Sequence, residues 1–346
     1  MAHLHMGAIF AFIMIIKEKT CFCKRLWEKR SPCGQREAVF AGPIFPLLSR
    51  RFLQYDNRKY RKGIFAMKLC NMEYQEKNGV GFLTFSAFEQ FTWVRQAFST
   101  RKGGVSEGEF SSLNLSFGRG DSDENVRENY RRLSAAVGFE PESLTASAQD
   151  HHTVVRRVGK EERGVGIWRP KDLFSVDGLC TNEPGVTLVT HYADCVPLYF
   201  IDPEHHAIGL AHAGWRGTVA QMGKVMVQRM GEEFGTRPEA LYTAIGPSIG
   251  VCCYEVDEPV AAKFLALSHL QPEKFVFAKE GGKYQLNLWE CNRQVMAAAG
   301  VPENHITVGG VCTQCHSDLL FSHRATAGKR GGLAAFLEIK DERGQA

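Results

Sequence analysis

The chain has no apolar run long enough to cross a bilayer. The one near its start, Gly7 to Ile16, has ten residues against the roughly 20 a spanning helix needs. It also lacks a basic lead-in and a small-residue cleavage site, so it does not read as a secretory signal, and no membrane partner is expected. A disulfide framework is missing too. Eleven cysteines are an odd number and include the adjacent pair Cys252 and Cys253, which fits reduced thiols and a cytoplasmic location. Gly246-Pro247-Ser248-Ile249-Gly250 has turn glycines but neither GxGxxG nor a Walker pattern, which excludes a dinucleotide or P-loop site there. Excess basic charge is absent from the body of the protein. The net charge is +4, but residues 1–66 hold thirteen Lys or Arg against Glu18, Glu28, Glu37 and Asp56, so the rest is −5. That part carries no nucleic-acid footprint.

What is present divides at Met67. Residues 1–66 mix the apolar run with basic clusters and keep no helical or strand period, which predicts a dispensable basic extension. Residues 67–346 are expected to form the folded domain and to carry whatever activity the chain has. Regular structure is expected from Gly79, with strands around Val80 to Phe85 and Phe91 to Phe98 closed by the Arg101-Lys102-Gly103-Gly104 turn. Val126, Tyr130 and Leu133 recur at helical spacing after Ser122, a predicted N-cap. Thr187 to His191, Pro197 to Asp202 and Ala207 to Ala211 read as closely spaced strands. Val219, Met222, Met226 and Met230 mark a helix whose methionines are core. Further along, Ala240 to Ile245 reads as a strand, Pro259 to Leu267 as a helix and Phe275 to Leu288 as a hairpin. Leu288 to Ala299 reads as a helix, and Ile306 to Val311 and Leu333 to Ile339 as late strands. Strands with irregularly placed helices and no βαβ alternation give an α+β single domain.

Three segments place reactive side chains at strand ends: Gln149 to His152, Ala193 to Pro197, and His212 to Gly217. A Cys thiolate with two imidazoles has the softness Zn²⁺ prefers and leaves a fourth position open; copper would accept the same set. Gly214 and Gly217 around Trp215-Arg216 predict a strand-to-helix turn whose N–H groups and guanidinium can meet an anion, or simply a helix cap. Arg101, Arg324 and Lys329 lie in loops that could add to an anion pocket. Cys312-Thr313-Gln314-Cys315 is a CxxC without a second CxxC, which reads as a structural thiol pair.

At these segments the sequence resembles the YfiH family, also called the laccase-domain or multicopper polyphenol oxidase family, whose bacterial members include the peptidoglycan editing factor. The resemblance runs from about Phe91 to Ile339. It includes Phe98 to Ser106, Leu113-Asn114-Leu115, Gln149-x-His151, Asp177-Gly178-Leu179, Ala193 to Pro197, His212 to Gly217, Cys253 to Val256 and Phe321 to Arg324. It implies a layered αββα sandwich with mixed sheets and a His-Cys-His metal site on His151, Cys195 and His212, holding one divalent Zn or Cu per chain. His152 beside His151 departs from the family's usual His-Gly, and Gly328-Lys329-Arg330 from its Gly-Arg. Phosphorolysis of adenosine, inosine and methylthioadenosine is implied, with adenosine deamination besides, so purine nucleosides and phosphate are the expected small-molecule partners. A link to cell-wall precursor synthesis is the other implied role.

On this reading His151, Cys195, His212 and Asp194 carry the catalysis, Asp194 orienting a ligand or shuttling a proton. Arg101, Asn114, Arg216 and Arg324 are the candidate substrate and phosphate contacts. The same residues serve a metal-free alternative in which Cys195 is the nucleophile and His212 its base, in a cysteine hydrolase acting on cell-wall peptides. A binding module with little catalysis is a third possibility. Copper polyphenol oxidation ranks last, since one His-Cys-His set lacks the ligands for several coppers.

Overall fold

The structure, a computed structural model, describes residues 65–341. Most of the segment expected to be dispensable, residues 1–64, lies outside the described residues. The first strand begins at Phe65, two residues ahead of the expected boundary.

One sheet has seven strands: β1 (Phe65–Leu69), β2 (Met72–Lys77), β3 (Val80–Phe85), β4 (Val94–Ser99), β5 (Leu144–Ala146), β8 (Thr187–Tyr192) and β16 (Leu333–Ile339). They are ordered β1-β2-β3-β4-β16-β8-β5, antiparallel except for the parallel β5–β8 edge. The second sheet has six: β6 (Val155–Arg157), β7 (Gly178–Thr181), β9 (Val196–Asp202), β10 (Ala207–Ala213), β11 (Tyr242–Ile245) and β15 (Ile306–Val308), ordered β15-β11-β9-β10-β7-β6. A small third sheet, β12-β14-β13, is built from Glu255–Asp257, Lys283–Leu286 and Val276–Ala278. The helices are α1 (Asp123–Val137), α2 (Trp215–Val219), α3 (Met222–Phe234), α4 (Glu258–Leu265) and α5 (Leu288–Ala298).

Three cores separate these elements into layers. Between the two large sheets, Phe98, Leu188 and Leu337 pack with Tyr199, Ile201, Ile208 and Leu210. Outside the first sheet, α1 lays Val126, Tyr130 and Leu133 over Ala97, Val189 and Phe336. Outside the second, α3 and α5 set Met222, Met226, Met230, Leu288 and Val295 on Leu198, Phe200 and Ala211. This is the αββα sandwich, α+β with mixed sheets. Because β9 and β10 are covered on both faces, all seven residues of each are buried. On β10 the residues toward α3 are small, Ala207, Ala211 and Ala213, while Ile208 and Leu210 fill the middle core. Gly209 keeps that face low: a Cβ would stand 2.8 Å from Met226 Sδ and 3.0 Å from Met230 Sδ, so the methionines would have to shift. The methionine stripe is core, as its spacing suggests.

Helix α1 starts where its cap predicts, the Ser122 hydroxyl accepting the Asn125 N–H at 3.1 Å, and ends at Gly138 in the left-handed conformation. Two expectations need correction. Regular structure begins before Gly79, with β1 and β2; β2 buries only Met72 and Tyr74 and is otherwise polar and half-buried, so its pairing with β1 and β3 rather than an apolar period makes it a strand. The strand expected from Phe91 starts at Val94; Phe91 lies in the preceding turn, which closes by a Val94 N–H bond to the Phe91 carbonyl.

Candidate active site

His212 stands near the end of β10, on the face shared with Ile208 and Leu210, with its ring 5.5 Å from that of Tyr192. Its Nδ1 lies 2.7 Å from Oδ1 of Asp177, which is fully buried just before β7. Its backbone N–H donates to the Asp177 carbonyl at 2.8 Å. A carboxylate on Nδ1 fixes the proton there and leaves Nε2 to face the site.

The same carboxylate holds the segment that carries His151. The N–H groups of Asp150, His151 and His152 donate to it at 3.2, 3.1 and 3.0 Å. Upstream, Gln149 pairs with both backbone groups of His191, donating to its carbonyl at 3.0 Å and accepting its N–H at 2.6 Å. These bonds hold His151 in the left-handed conformation, φ +71°, which a non-glycine residue adopts only when surrounding structure over-determines it. His152 points elsewhere: it is exposed and pairs with Asp150 at 2.8 Å.

Cys195 follows Asp194, another left-handed residue at φ +88°. The Asp194 carboxylate accepts the Thr313 hydroxyl at 2.6 Å and the Arg324 N–H at 2.7 Å, and its carbonyl accepts the Ile249 N–H at 2.9 Å. Both carboxylate oxygens of Asp194 are thus engaged in tying the turn before Cys195 to Thr313 and Arg324. One donor atom from each of His151, Cys195 and His212 lies within 4.8 Å of the others. Gly214 lets them close: a Cβ there would be 2.9 Å from His151 Nδ1 and 3.0 Å from Cys195 Sγ. Two imidazoles and a thiol at this separation match the donor set of a three-ligand metal centre.

Charge around the centre is arranged unevenly. Burial opposes charging of His212, but Cys195 and Asp177 outweigh it and raise the imidazole to about 9. His151 is shifted the other way, by partial burial and by His212. Asp177 is pushed up by burial, but the bonds from His212 and the backbone prevail and lower it. His191 next to the site is driven down to about 3 by burial and by Lys171, and its Nε2 lies 2.7 Å from the Tyr130 hydroxyl.

The expected anion contacts separate into two groups. Arg101 is spent on the carbonyls of Ser111 and Ser317 and lies over Phe321, 4.6 Å from the ring centre. Asn114 is fully buried; its amide donates to Ser116 and Asp121 and accepts from Ser116 and Gly332, which makes it a loop staple. Arg216 is exposed and lies 4.3 Å over the ring of Trp215, within electrostatic reach of His151. Arg324 is exposed above Tyr254, and its Nη1 bonds the Glu255 carbonyl at 3.1 Å. The cation that sequence reasoning left undecided is Arg330. Lys329 is exposed, whereas Arg330 is buried with its Nε lacking a hydrogen-bond partner. Burial and Arg119 lower Arg330 to about 10, against the pull of Asp194 and Cys195.

The CxxC does have a partner, contrary to the sequence expectation. Cys252 and Cys253 meet Cys312 and Cys315, with all four sulfurs within 4.8 Å of one another. One residue to which sequence reasoning gave no role, Asp177, holds both His212 and the His151 segment, and Arg330, which it left undecided against Lys329, is the buried cation within electrostatic reach of Cys195. The Asp-Gly-Leu run at Asp177 was the available signal for the first: a carboxylate directly before a buried strand.

The sequence profile of the family described as multi-copper polyphenol oxidoreductase laccase matches residues 95–340. A purine nucleoside phosphorylase YlmD from Geobacillus stearothermophilus is 40% identical over 258 residues, covering 73% of this chain and 92% of that protein. A purine nucleoside phosphorylase from Bacteroides thetaiotaomicron is 35% identical over 266 residues, covering 77% and 97%. Among solved structures, a Bacillus licheniformis hypothetical protein YfiH superposes with a TM-score of 0.73 at 34% identity, covering 77% of this chain and 99% of that one. The Geobacillus YlmD structure gives 0.72 at 37%, covering 78% and 99%. With the αββα layers and the His-Cys-His cluster in place, these matches establish that the chain belongs to the laccase-domain family of YfiH and YlmD.

Proposed function

We propose that this protein is a purine nucleoside phosphorylase acting on adenosine, inosine and methylthioadenosine in a reducing, cytoplasmic setting. We propose further that it deaminates adenosine, and that both reactions need zinc or copper at His151, Cys195 and His212. The observation that carries this reading is the approach of those three donors to within 4.8 Å of one another, with His212 oriented by a buried carboxylate. Relatives named purine nucleoside phosphorylase support the substrate class.

His151, Cys195 and His212 would hold the metal, which when bound would supply Lewis acidity to an oxygen of the reactant. The chain's own residues do the rest. Asp177 retains the Nδ1 proton of His212, so Nε2 faces the centre. Arg330 offers a buried guanidinium that a phosphate oxygen can satisfy, with Arg216 and Arg324 at the exposed side. In phosphorolysis a phosphate oxygen bonds the ribose anomeric carbon while the bond to the purine nitrogen breaks, its electron pair leaving with the base. In deamination water adds at purine C6 and ammonia leaves.

The test is cleavage of adenosine or inosine to base and ribose 1-phosphate by metal-replete protein, with and without phosphate. Arg330→Gln should raise the phosphate KM by about 10-fold or more, from the loss of one charge-assisted contact, and alter deamination far less. If neither base nor inosine appears from adenosine under either condition, the nucleoside reading fails. A second reading, the cysteine hydrolase, draws on the Asp177–His212–Cys195 order, which is that of a base oriented by an acid beside a nucleophile. It gains if Cys195→Ala and His212→Ala lose no metal.

A further inference from the structure

We propose that Cys252, Cys253, Cys312 and Cys315 bind a structural zinc ion, a second metal site distinct from the His151, Cys195 and His212 centre.

The four sulfurs form one clump. Cys315 Sγ is 3.4 Å from Cys252 Sγ and 3.5 Å from Cys253 Sγ, and all four lie within 4.8 Å of one another. A tetrahedral ion with Zn–S bonds of about 2.3 Å holds its sulfurs roughly 3.8 Å apart, so these positions need only small adjustment. Disulfides account for the arrangement less well. Cys252 and Cys253 are neighbours in sequence, with Cα atoms about 3.8 Å apart, closer than the usual minimum of about 4.4 Å for a bridge. Any single bridge also leaves two thiols packed against it. Four thiolates with no imidazole or carboxylate make a closed, sulfur-only set, which selects zinc in a structural role.

The surroundings fit an ion. Cys312 is buried and its sulfur accepts the Gly250 N–H at 3.2 Å, the kind of outer bond that steadies a ligating thiolate. Cys253 and Cys315 are half-buried and Cys252 is exposed, which leaves an entry path from solvent. The two segments also run alongside each other: Ser248 N–H donates to the Val311 carbonyl at 3.2 Å and Thr313 N–H to the Ser248 carbonyl at 3.0 Å.

These segments are the ones that grip Asp194, through Ile249 and Thr313. An ion joining Cys252 and Cys253 to Cys312 and Cys315 therefore clamps the turn that presents Cys195. It does so without touching the reactants.

The experiment is elemental analysis of the full chain, purified under reducing conditions, in Cys195→Ala protein, where the other centre has lost a ligand. About one zinc per chain should remain, and adding Cys315→Ser or Cys252→Ser should remove it. Cobalt replacement supplies a readout independent of activity. Cys195→Ala protein should show the intense visible bands of tetrahedral thiolate-bound Co²⁺, lost in the double variants. Cys252→Ser changes an exposed residue and guards against misfolding of the Cys315 variant. Zinc absent from Cys195→Ala protein, zinc retained in both double variants, iron in its place, or a mass two hydrogens low from a disulfide would each overturn the proposal. If Cys195→Ala instead holds as much metal as the unaltered chain, the His-Cys-His reading fails and this one stands.

Discussion

Replacing Asp177 with Asn removes its charge and one of its two acceptor oxygens. Oδ1 accepts from His212 Nδ1 at 2.7 Å and from the His151 N–H at 3.1 Å; Oδ2 accepts from Asp150 and His152 at 3.2 and 3.0 Å. An amide keeps one oxygen, so whichever way it turns, two of those four donors face an NH₂ group. At about 1.5–3 kcal/mol per hydrogen bond to a charged group, the two lost contacts would cost about 3–6 kcal/mol before relaxation. Asn also removes the preference for a proton on Nδ1, and loss of such an outer partner typically lowers metal affinity or activity by about 10–100-fold. The assays are thermal unfolding and kcat/KM for adenosine on one preparation, with metal content measured alongside. A lower Tm is expected together with at least a tenfold fall in kcat/KM. An Asp177→Asn protein within twofold of the unaltered chain in activity and metal, and with unchanged Tm, would refute the argument that this carboxylate organises the site.

Gly214→Ala places a methyl against His151 and Cys195 and should lower metal content and activity by tenfold or more while far-UV circular dichroism stays unchanged; normal metal binding would sink the close-approach argument. Asp202, fully buried at the end of β9, accepts the N–H groups of Glu204 and His205 at 2.9 and 3.2 Å and lies 2.8 Å from His205 Nδ1. Burial raises its pKa, but the bonds from His205 and the backbone prevail and lower it. Its stabilisation is therefore complete above the ordinary carboxylate value and lost as pH falls through the depressed one. Asp202→Asn should flatten the acid limb of a Tm-against-pH curve, and an unchanged slope would contradict this. We also propose that residues 1–64 are dispensable: a chain starting at Phe65 should match the full chain in solubility and activity, and inactivity of the shorter chain would end that reading.

The sequence revealed what depends on local pattern. Ser122 and the Val126, Tyr130, Leu133 spacing marked α1, and the methionine stripe marked α3, because cap and period act within a few turns. His151, Cys195 and His212 could be picked out by residue type and strand-end position together with the family resemblance. Long-range pairings were not legible in this way. Cys252 and Cys315 are 63 residues apart, and nothing in either segment announces that Ser248 runs beside Val311 and Thr313. Asp177 reads locally as an acid before a glycine, and its four donors come from segments 25 to 35 residues away. Strands β5, β6 and β7 have three, three and four residues, too few for a period to show; they exist through pairing with neighbours.

The burial of both faces of β10 has a consequence for how its register is chosen. Polar–apolar alternation normally rejects a strand that slips by one residue, since its apolar side chains would turn toward water. Here a slipped strand would remain dry, so that penalty vanishes. Bulk takes its place: Ala207, Gly209, Ala211 and Ala213 alternate with Ile208, Leu210 and His212, and a slip drives Ile208 and Leu210 into the space that Met226 and Met230 already fill. The same slip would rotate His212 away from Asp177. A volume code written for packing therefore aims the imidazole, and enlarging Gly209, a residue that carries no chemistry, is a route to misdirecting one that does.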